Sequence, residues 1–150
     1  MNIQYPILAI DYGTKRIGLA ISDSKGLIAS PLTVLNVTKN MGINKIIEEI
    51  KSIIKEYRIK TILIGRPQAF QSTYTKSLKK IDSFAQKIKD DIKIPVIFYD
   101  ESYSTIQAQN MLLSLGQNTK STKSKIDMIS ATVFLQEFLN SKQNKNEKLN

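Results

Sequence analysis

The sequence predicts an α/β fold in which a mixed five-stranded sheet carries helices on both faces. Three short apolar runs joined by tight polar turns open the chain, which indicates an antiparallel three-strand meander. Two further buried strands alternate with amphipathic helices, and such strands return parallel beside the first strand through crossover connections. The predicted element order is β-β-β-α-β-α-β-α-α.

The opening meander is predicted from three runs of apolar residues. Residues 7–10 form a continuous apolar run, as expected of a central strand that is covered on both faces. A second strand is predicted at 17–21, after a polar turn. The third spans 27–37, where Pro31 indicates an edge strand or a bulge because proline cannot donate a ladder hydrogen bond.

In the rest of the chain, segments with the apolar periodicity of a helix alternate with segments typical of strands. Apolar residues spaced three and four apart mark the helices, and short apolar runs closed by turn residues mark the strands. We predict helices over 43–57, 72–92, 106–115 and 125–139, strands at 62–65 and 95–99, and a polar, basic loop over 117–124.

The length of 150 residues suits one domain with a substantial core. We expect a single domain over 1–139 and a polar, flexible tail over 140–150. No apolar run approaches the roughly 20 residues of a membrane span. Since the first residues also lack a basic leader and a small-residue cleavage site, a cytoplasmic protein without membrane contact is expected.

The chain contains neither histidine nor cysteine. This composition excludes Ser-His-Asp and Cys-His catalysis, histidine proton shuttling, the usual zinc sites and a disulfide framework. A hydrolase built from this chain must therefore use carboxylates, lysines, hydroxyls or a hard metal ion. Carboxylate oxygens favour Mg²⁺ or Mn²⁺.

The net charge is +9, from 22 Lys+Arg against 13 Asp+Glu. Such an excess indicates a polyanionic partner, with nucleic acid first, although a lysine-rich composition without binding meaning is the alternative. Residues 51–100 contribute 11 basic and 5 acidic residues to this excess. The lysine-rich side of the helix within them is predicted to be a solvated face.

Two carboxylates are placed where α/β enzymes keep functional groups, near the carboxyl ends of parallel strands, and a third, on the last helix, could join them. Asp11 ends the first strand, Glu101 follows the strand at 95–99 with Asp100 competing for its role, and Asp127 lies in the first turn of the last helix. Together they would need a divalent cation to offset their repulsion. The structural alternatives are an Asx turn, a solvated strand end and a helix-dipole partner, respectively.

Hydroxyl and basic groups flank these carboxylates. The turn after Asp11 is either a phosphate contact or an exposed basic hairpin tip. Its Asp-x-Gly-Thr pattern also matches the phosphate loop of actin-like ATPases, but those folds clamp nucleotide between two such domains and this chain supplies one. The predicted nucleic-acid contacts are Gly13, Thr14, Lys15 and Arg16 in the turn, and Lys120, Lys123 and Lys125 in or next to the basic loop.

Four segments match one known family in order and spacing. They are Leu-Ala-Ile-Asp-Tyr-Gly-Thr-Lys-Arg-Ile-Gly-Leu-Ala-Ile-Ser-Asp at 8–23, Ile-Gly-Arg-Pro at 64–67, Asp-Glu-Ser with Ser-Thr at 100–105, and Asp-Met-Ile-Ser-Ala at 127–131 followed by Leu-Gln. These segments resemble the YqgF family, ribonuclease-H-like proteins described as pre-16S rRNA nucleases and as Holliday-junction-resolvase-like. The predicted element order is compatible with a ribonuclease-H-like fold.

The resemblance implies that Asp11, Glu101 and Asp127 are the catalytic, metal-binding residues, and it selects Glu101 over Asp100. It further implies cleavage of phosphodiester bonds with Mg²⁺ or Mn²⁺, during maturation of the 5′ end of pre-16S rRNA in the cytoplasm. A DNA resolvase acting on Holliday junctions is the alternative substrate class. Either a monomer or a homodimer is compatible with these expectations.

Several positions depart from the family pattern. Ser102 stands where arginine is usual, and Gln71-Ser72 replaces Asp-Gly. These departures motivate a further alternative, a catalytically degenerate factor that binds RNA or the ribosome. Arg66 replaces an aliphatic residue, and one hypothesis is that it restores the positive charge lost at position 102.

Overall fold

The computed structural model of the chain describes residues 2–67, 76–101 and 119–148. Five strands and three helices lie in these ranges. In chain order they are β1 (Ile7–Tyr12), β2 (Arg16–Ser22), β3 (Ala29–Asn36), α1 (Ile43–Tyr57), β4 (Thr61–Pro67), α2 (Lys76–Asp91), β5 (Val96–Glu101) and α3 (Thr119–Lys148).

The five strands form one sheet in the order β3-β2-β1-β4-β5. The first three strands pair antiparallel, while β4 pairs parallel with β1 and β5 pairs parallel with β4. This arrangement confirms the predicted meander with two parallel strands added beside the first. It also makes β1 the central strand, so its carboxyl end lies in the middle of a sheet edge.

Helices cover both faces of the sheet, and the alternation of β1 shows which helix covers which face. Leu8 and Ile10 belong to a core shared with α1 and α2, whereas Ile7 and Ala9 belong to a second core shared with α3. All four side chains are fully buried. The continuous apolar run at 7–10 is therefore explained by a strand that faces two cores at once.

The third strand lies at the edge of the sheet and is bulged, as the proline predicts. The β2–β3 register changes from Leu19↔Thr33 to Ala20↔Pro31, so that one extra residue of β3 is accommodated between these pairs. The helix predicted over 43–57 coincides with α1. Both features follow from local signals, a proline and a stripe of isoleucines.

The last helix is much longer than predicted. It begins at Thr119 and ends at Lys148, so the prediction of a loop over 117–124 is wrong for 119–124 and the predicted helix end at Leu139 is also wrong. No glycine or proline interrupts these residues, and Lys, Ser, Thr and Asn each cost an established helix only about 0.7 kcal/mol or less. Gln143 also donates a hydrogen bond to the carbonyl oxygen of Gly26, at 3.2 Å.

The flexibility expected of the tail and the single domain expected over 1–139 stay predictions. The helix predicted over 106–115 and the first residues of the one predicted over 72–92 lie outside the described ranges. In the described part of the chain, no helix combines the length and apolar character needed to cross a membrane.

Candidate active site

The carboxyl ends of β1, β4 and β5 lie along one edge of the sheet, because the three strands are parallel neighbours. Asp11 is the penultimate residue of β1, and Glu101 is the last residue of β5. The pairing of β1 with β4 stops at Ile10↔Ile64, although both strands continue beyond it. The two strands therefore part at the level of Asp11, where α/β sheets place their ligands.

Asp11 lies on the α3 side of the sheet. It continues the alternation of Ile7 and Ala9, which pack in the core beneath α3. Asp11 is partly buried, and its cross-strand partner is Gly18 of β2. A carboxylate in such a position requires a cation or hydrogen-bond donors to compensate for lost hydration.

Asp100 and Glu101 are consecutive residues of β5, so their positions belong to opposite faces of the sheet. Glu101 has the same parity as Ile97 and Tyr99, which pack against the core beneath α3. Asp100 has the parity of Phe98, whose ring lies near basic side chains on the other side of the sheet. From ideal sheet spacings, the Cα atoms of positions 11 and 101 are about 12 Å apart. The Glu101 side chain lies outside what the structure describes.

Asp127 lies in the third turn of α3, not in the first turn as predicted, because the helix begins at Thr119. The helix dipole acts within the first turn, so the dipole explanation for this aspartate is removed. Position 127 precedes the fully buried Ala131 and Phe134 by four and seven residues. These spacings place it on the stripe of α3 that packs on the sheet, one turn beyond the core. Its side chain is outside the described set.

The structure brings Arg16 to the neighbourhood of Asp11. Arg16 lies two residues before Gly18, the cross-strand partner of Asp11, and is thus a diagonal neighbour on the same face. Its residue is partly buried, whereas Thr14 and Lys15 are exposed in the turn. Of the predicted contacts in this turn, Arg16 is therefore the one that shares a face with the carboxylate.

Gly13 has a steric role in the same turn. A Cβ atom added at this position would lie 2.5 Å from the carbonyl oxygen of Arg16, which is far inside van der Waals contact. The turn can close so tightly only because residue 13 has no side chain. The sequence predicted Gly13 as a phosphate contact, and the structure adds this backbone requirement.

The lysines predicted to lie in a loop belong to the first two turns of α3. Lys120 and Lys123 precede Asp127 by seven and four residues, and so share its helical stripe, whereas Lys125 precedes it by two and falls on another side of the helix. The predicted basic segment is therefore a helix end that continues the line of Asp127, not a loop.

Tyr99 fastens α3 to β5 beside this edge, which the sequence did not reveal. Its hydroxyl donates a hydrogen bond to Glu137 of α3 at 2.9 Å, and its ring stacks on Phe134 at a centroid distance of 5.8 Å. Burial, followed by the hydrogen bond to Glu137, raises the pKa of Tyr99 to about 12. The partners are 38 residues apart, so no local pattern could have paired them.

Arg66 is engaged on the opposite face of the sheet. Its Nη2 atom lies 3.3 Å from Asp82 Oδ2 of α2, and its guanidinium lies 6.0 Å from the centre of the Phe98 ring. These contacts do not support the hypothesis that Arg66 replaces a charge at position 102 beside the carboxylates. Ser102 and Gln71-Ser72 lie outside the described ranges.

No group of three potential metal ligands is found among the described side chains. The side chains of Glu101 and Asp127 are not among them, so this search does not include the predicted triad. The donor set placed at the edge consists of carboxylates alone, which is the set that Mg²⁺ and Mn²⁺ prefer. These residues therefore fit a hard divalent cation.

Comparison with known proteins gives the same family as the motifs. The RuvX family, described as "Holliday junction resolvase", matches residues 5–141. A "Putative pre-16S rRNA nuclease" of Thermoanaerobacter pseudethanolicus is 35% identical over 140 residues, covering 93% of this chain and 99% of the relative. A protein of the same name from Chlamydia trachomatis serovar L2 is 39% identical over 148 residues, covering 95% and 99%.

Solved structures agree on the fold. RuvC of Thermus thermophilus, in complex with a Holliday junction substrate, superposes with a TM-score of 0.57 at 14% identity, covering 93% of this chain and 96% of that one. The yeast mitochondrial Holliday junction resolvase Ydc2 gives a TM-score of 0.52 at 15% identity, covering 99% and 87%. The ribonuclease-H-like architecture predicted from the sequence is thereby confirmed, and the chain belongs to the RuvX family, the YqgF family indicated by its motifs.

Proposed function

We propose that this chain is a cytoplasmic, divalent-metal-dependent nuclease that hydrolyses phosphodiester bonds in processing the 5′ end of pre-16S rRNA. The observation that carries the proposal is the position of Asp11, partly buried where β1 and β4 part. Membership of a nuclease family and the names of close relatives support the reaction class and the substrate.

In this proposal Asp11, Glu101 and Asp127 hold the cation. The parity of Glu101 along β5 and the helical stripe of Asp127 both favour the α3 side, where Asp11 lies. When bound, Mg²⁺ or Mn²⁺ supplies polarisation of the phosphate and lowers the pKa of a water molecule. The protein would contribute oxygen ligands from strand ends and a helix that pack in the two cores.

The basic groups hold the substrate. Arg16, as a diagonal neighbour of Asp11, is suited to bind a phosphate oxygen next to the one that reacts. Lys120 and Lys123 extend the same line along α3, and the exposed Thr14 and Lys15 add contacts from the turn. Such contacts bind the sugar–phosphate backbone without reading its sequence.

The test is cleavage of a 16S rRNA precursor by the purified chain with Mg²⁺ or Mn²⁺. Asp11→Asn should lower the rate by at least about 100-fold, because even outer residues of a metal site cost about 10–100-fold when changed. Asp23→Asn is the matched control. Asp23 follows the last residue of β2, near the amino end of β1, and so lies at the opposite end of the strands from Asp11. Wild-type activity in Asp11→Asn, with an unchanged circular dichroism spectrum, would refute the mechanism.

Two alternatives are decided by the same assay. The family description and the shared fold motivate a four-way DNA junction as a parallel substrate, and preferential cleavage of that junction would identify a resolvase. Binding of RNA without any cleavage, and without a requirement for metal, would identify a degenerate binding factor. Size-exclusion chromatography with light scattering on the same samples separates a monomer from a homodimer.

A further inference from the structure

A basic depression lies on the face of the sheet opposite the carboxylates, between α2 and the start of α1. It has a volume of about 340 Å³, and we call it the lysine groove after its lining residues Tyr12, Phe84, Lys79, Lys80 and Lys87. We propose that the lysine groove binds a single-stranded nucleic acid segment that continues from the catalytic edge. Lys79 and Lys80, which are exposed, would hold its phosphates, and the partly exposed ring of Tyr12 would offer a base an apolar surface. Phe84 is buried and packs against that ring.

Tyr12, in the floor of the groove, is next in sequence to Asp11 of the candidate active site. Tyr12 stacks on Phe84 with ring centres 4.5 Å apart and an angle of 28° between the planes. Tyr12 is also the residue after Asp11 in β1, so the alternation of the strand places the two on opposite faces. A substrate that contacts both residues must therefore pass over the end of β1.

A second depression lies at this end of β1. It has a volume of about 120 Å³ and is lined by Tyr12, Gly13, Thr14 and Ile81. Both depressions are lined by Tyr12, so they adjoin at this residue, one beside the turn that follows Asp11 and the other at the lysine groove.

Among the described residues, no lysine of the groove forms a salt bridge, and Lys87 donates a hydrogen bond to Asn44. Lys79 and Lys80 are exposed, and in the described part of the chain neither has a carboxylate oxygen within 4.0 Å. The nearby acid Asp82 is paired with Arg66. Lysines that line a concave surface without counter-charges attract an anion more strongly than a flat solvated helix face does.

The ligand chemistry follows from the combination of the Tyr12 ring with the lysine ammonium groups. Aromatic surfaces accept any base, since every base has a π-face, while lysines follow the backbone as point charges. Contact with the Tyr12 ring requires an unstacked base, which a single strand offers and a duplex does not, so the groove favours a single strand. The identity of this strand as substrate rests on the proposed function, but its binding can be measured without cleavage.

The test compares RNA binding by wild-type protein and by the double variant Lys79→Ala/Lys80→Ala. Fluorescence anisotropy with a labelled single-stranded RNA is measured over a salt series without divalent metal, so that no cleavage occurs. The double variant should bind about tenfold more weakly, and the slope of log K against log salt should fall by about 1.4, or about 0.7 for each lost phosphate contact. The variant Lys79→Arg/Lys80→Arg should restore most of the affinity.

The matched control is Lys55→Ala/Lys60→Ala, which removes two exposed lysines at the other end of α1 and before β4. It should leave the affinity within about twofold of wild type, because exposed charges beyond about 10 Å are screened. Unchanged binding by Lys79→Ala/Lys80→Ala, or an equal loss in the control, overturns the proposal. The unfolding transitions of all variants show whether the fold is retained.

The outcomes for the groove and for the nuclease are separable. Loss of cleavage in Asp11→Asn together with wild-type RNA binding by Lys79→Ala/Lys80→Ala supports the nuclease and refutes the groove. Weakened binding by the lysine variant, with no cleavage by the wild-type chain, supports the groove and refutes the nuclease. The two inferences are therefore tested independently on one set of proteins.

Discussion

Tyr99→Phe removes a single hydroxyl group from the contact that fastens α3 to β5. The hydroxyl donates a hydrogen bond to Glu137 at 2.9 Å, while the ring stacks on Phe134 and meets Phe138 edge-on at 6.2 Å. Phenylalanine retains the ring contacts. The variant therefore isolates the hydrogen bond between the strand that ends at Glu101 and the helix that carries the last aspartate.

The magnitude follows from the surroundings of the hydroxyl. A rise of the Tyr99 pKa to about 12 corresponds to at most about 2.7 kcal/mol between the two protonation states. Burial is the largest cause of that rise, and solvent screens a phenol that is only partly buried, so the hydrogen bond accounts for a minor share. With a net value of about 0.5–1.5 kcal/mol for a hydrogen bond, Tyr99→Phe should cost about 1 kcal/mol.

Urea unfolding followed by circular dichroism measures this cost. In thermal unfolding, Tm should fall by about 2–4 °C.

Because the folded-state pKa of Tyr99 is raised, the stability advantage of the wild type over Tyr99→Phe is full below about pH 10 and shrinks as the pH rises toward 12. In a double-mutant cycle with Glu137→Ala, which removes the acceptor, the coupling energy should be about 0.5–1.5 kcal/mol. Tyr57→Phe, at the exposed end of α1, should change stability by less than about 0.5 kcal/mol. Zero coupling would refute the assigned contact.

Two further variants test the β1–β2 and β2–β3 turns, which lie at opposite ends of the strands. Gly13→Ala should destabilise the chain by about 1–3 kcal/mol in urea, because the new Cβ meets the carbonyl oxygen of Arg16, whereas Gly42→Ala, with open space around it, should cost less than about 1 kcal/mol. Asp23→Ala should cost about 0.5–1 kcal/mol near neutral pH, because the carboxylate accepts two backbone N–H groups in the β2–β3 turn. Those bonds, chiefly the one from Ile28, lower the pKa of Asp23, so this difference should be full above about pH 4 and should vanish as the pH falls through the lowered folded-state pKa. An unchanged difference at acid pH would contradict the Asp23 assignment, and equal effects of the two alanines would contradict the Gly13 assignment.

The helices were predictable where a buried stripe defines them and unpredictable beyond it. Isoleucines at helical spacing placed α1 at its observed bounds, since each turn of that helix packs on the sheet. The ends of α3 were missed because the residues there are mostly polar and show no apolar periodicity. Whether a helix continues through such residues depends on propagation from the packed segment.

The predicted burial of Phe98 shows the same limit of local sequence patterns. The apolar run at 95–99 indicates a buried strand, yet Phe98 is 38% exposed, with Lys89 5.2 Å from its ring centre. β5 is the last strand of the described sheet, so its side chains on this face are only partly covered. A strand's place in the sheet is a property of the whole chain, and a local pattern does not contain it.

The sequence by itself determined the chemistry that this protein can use. The absence of histidine and cysteine excludes histidine- and thiolate-based catalysis, and the family motifs predict a nuclease, which the family match supports. A metal site centred on Asp11, the carboxylate after the apolar strand, stays a prediction. These properties depend on residue type and short spacings, so they can be read directly along the chain.

Only the tertiary structure decided how these residues are arranged. The adjacency of β1, β4 and β5, the face on which Asp11 lies and the contact between Tyr99 and Glu137 all arise from pairings across tens of residues. The lysine groove exists because α2 packs beside α1 over Tyr12, although periodicity alone predicts a solvated face for its lysines. Long-range register and packing select one arrangement from many that local propensity allows, and that selection places the candidate site and the groove on either side of one strand end.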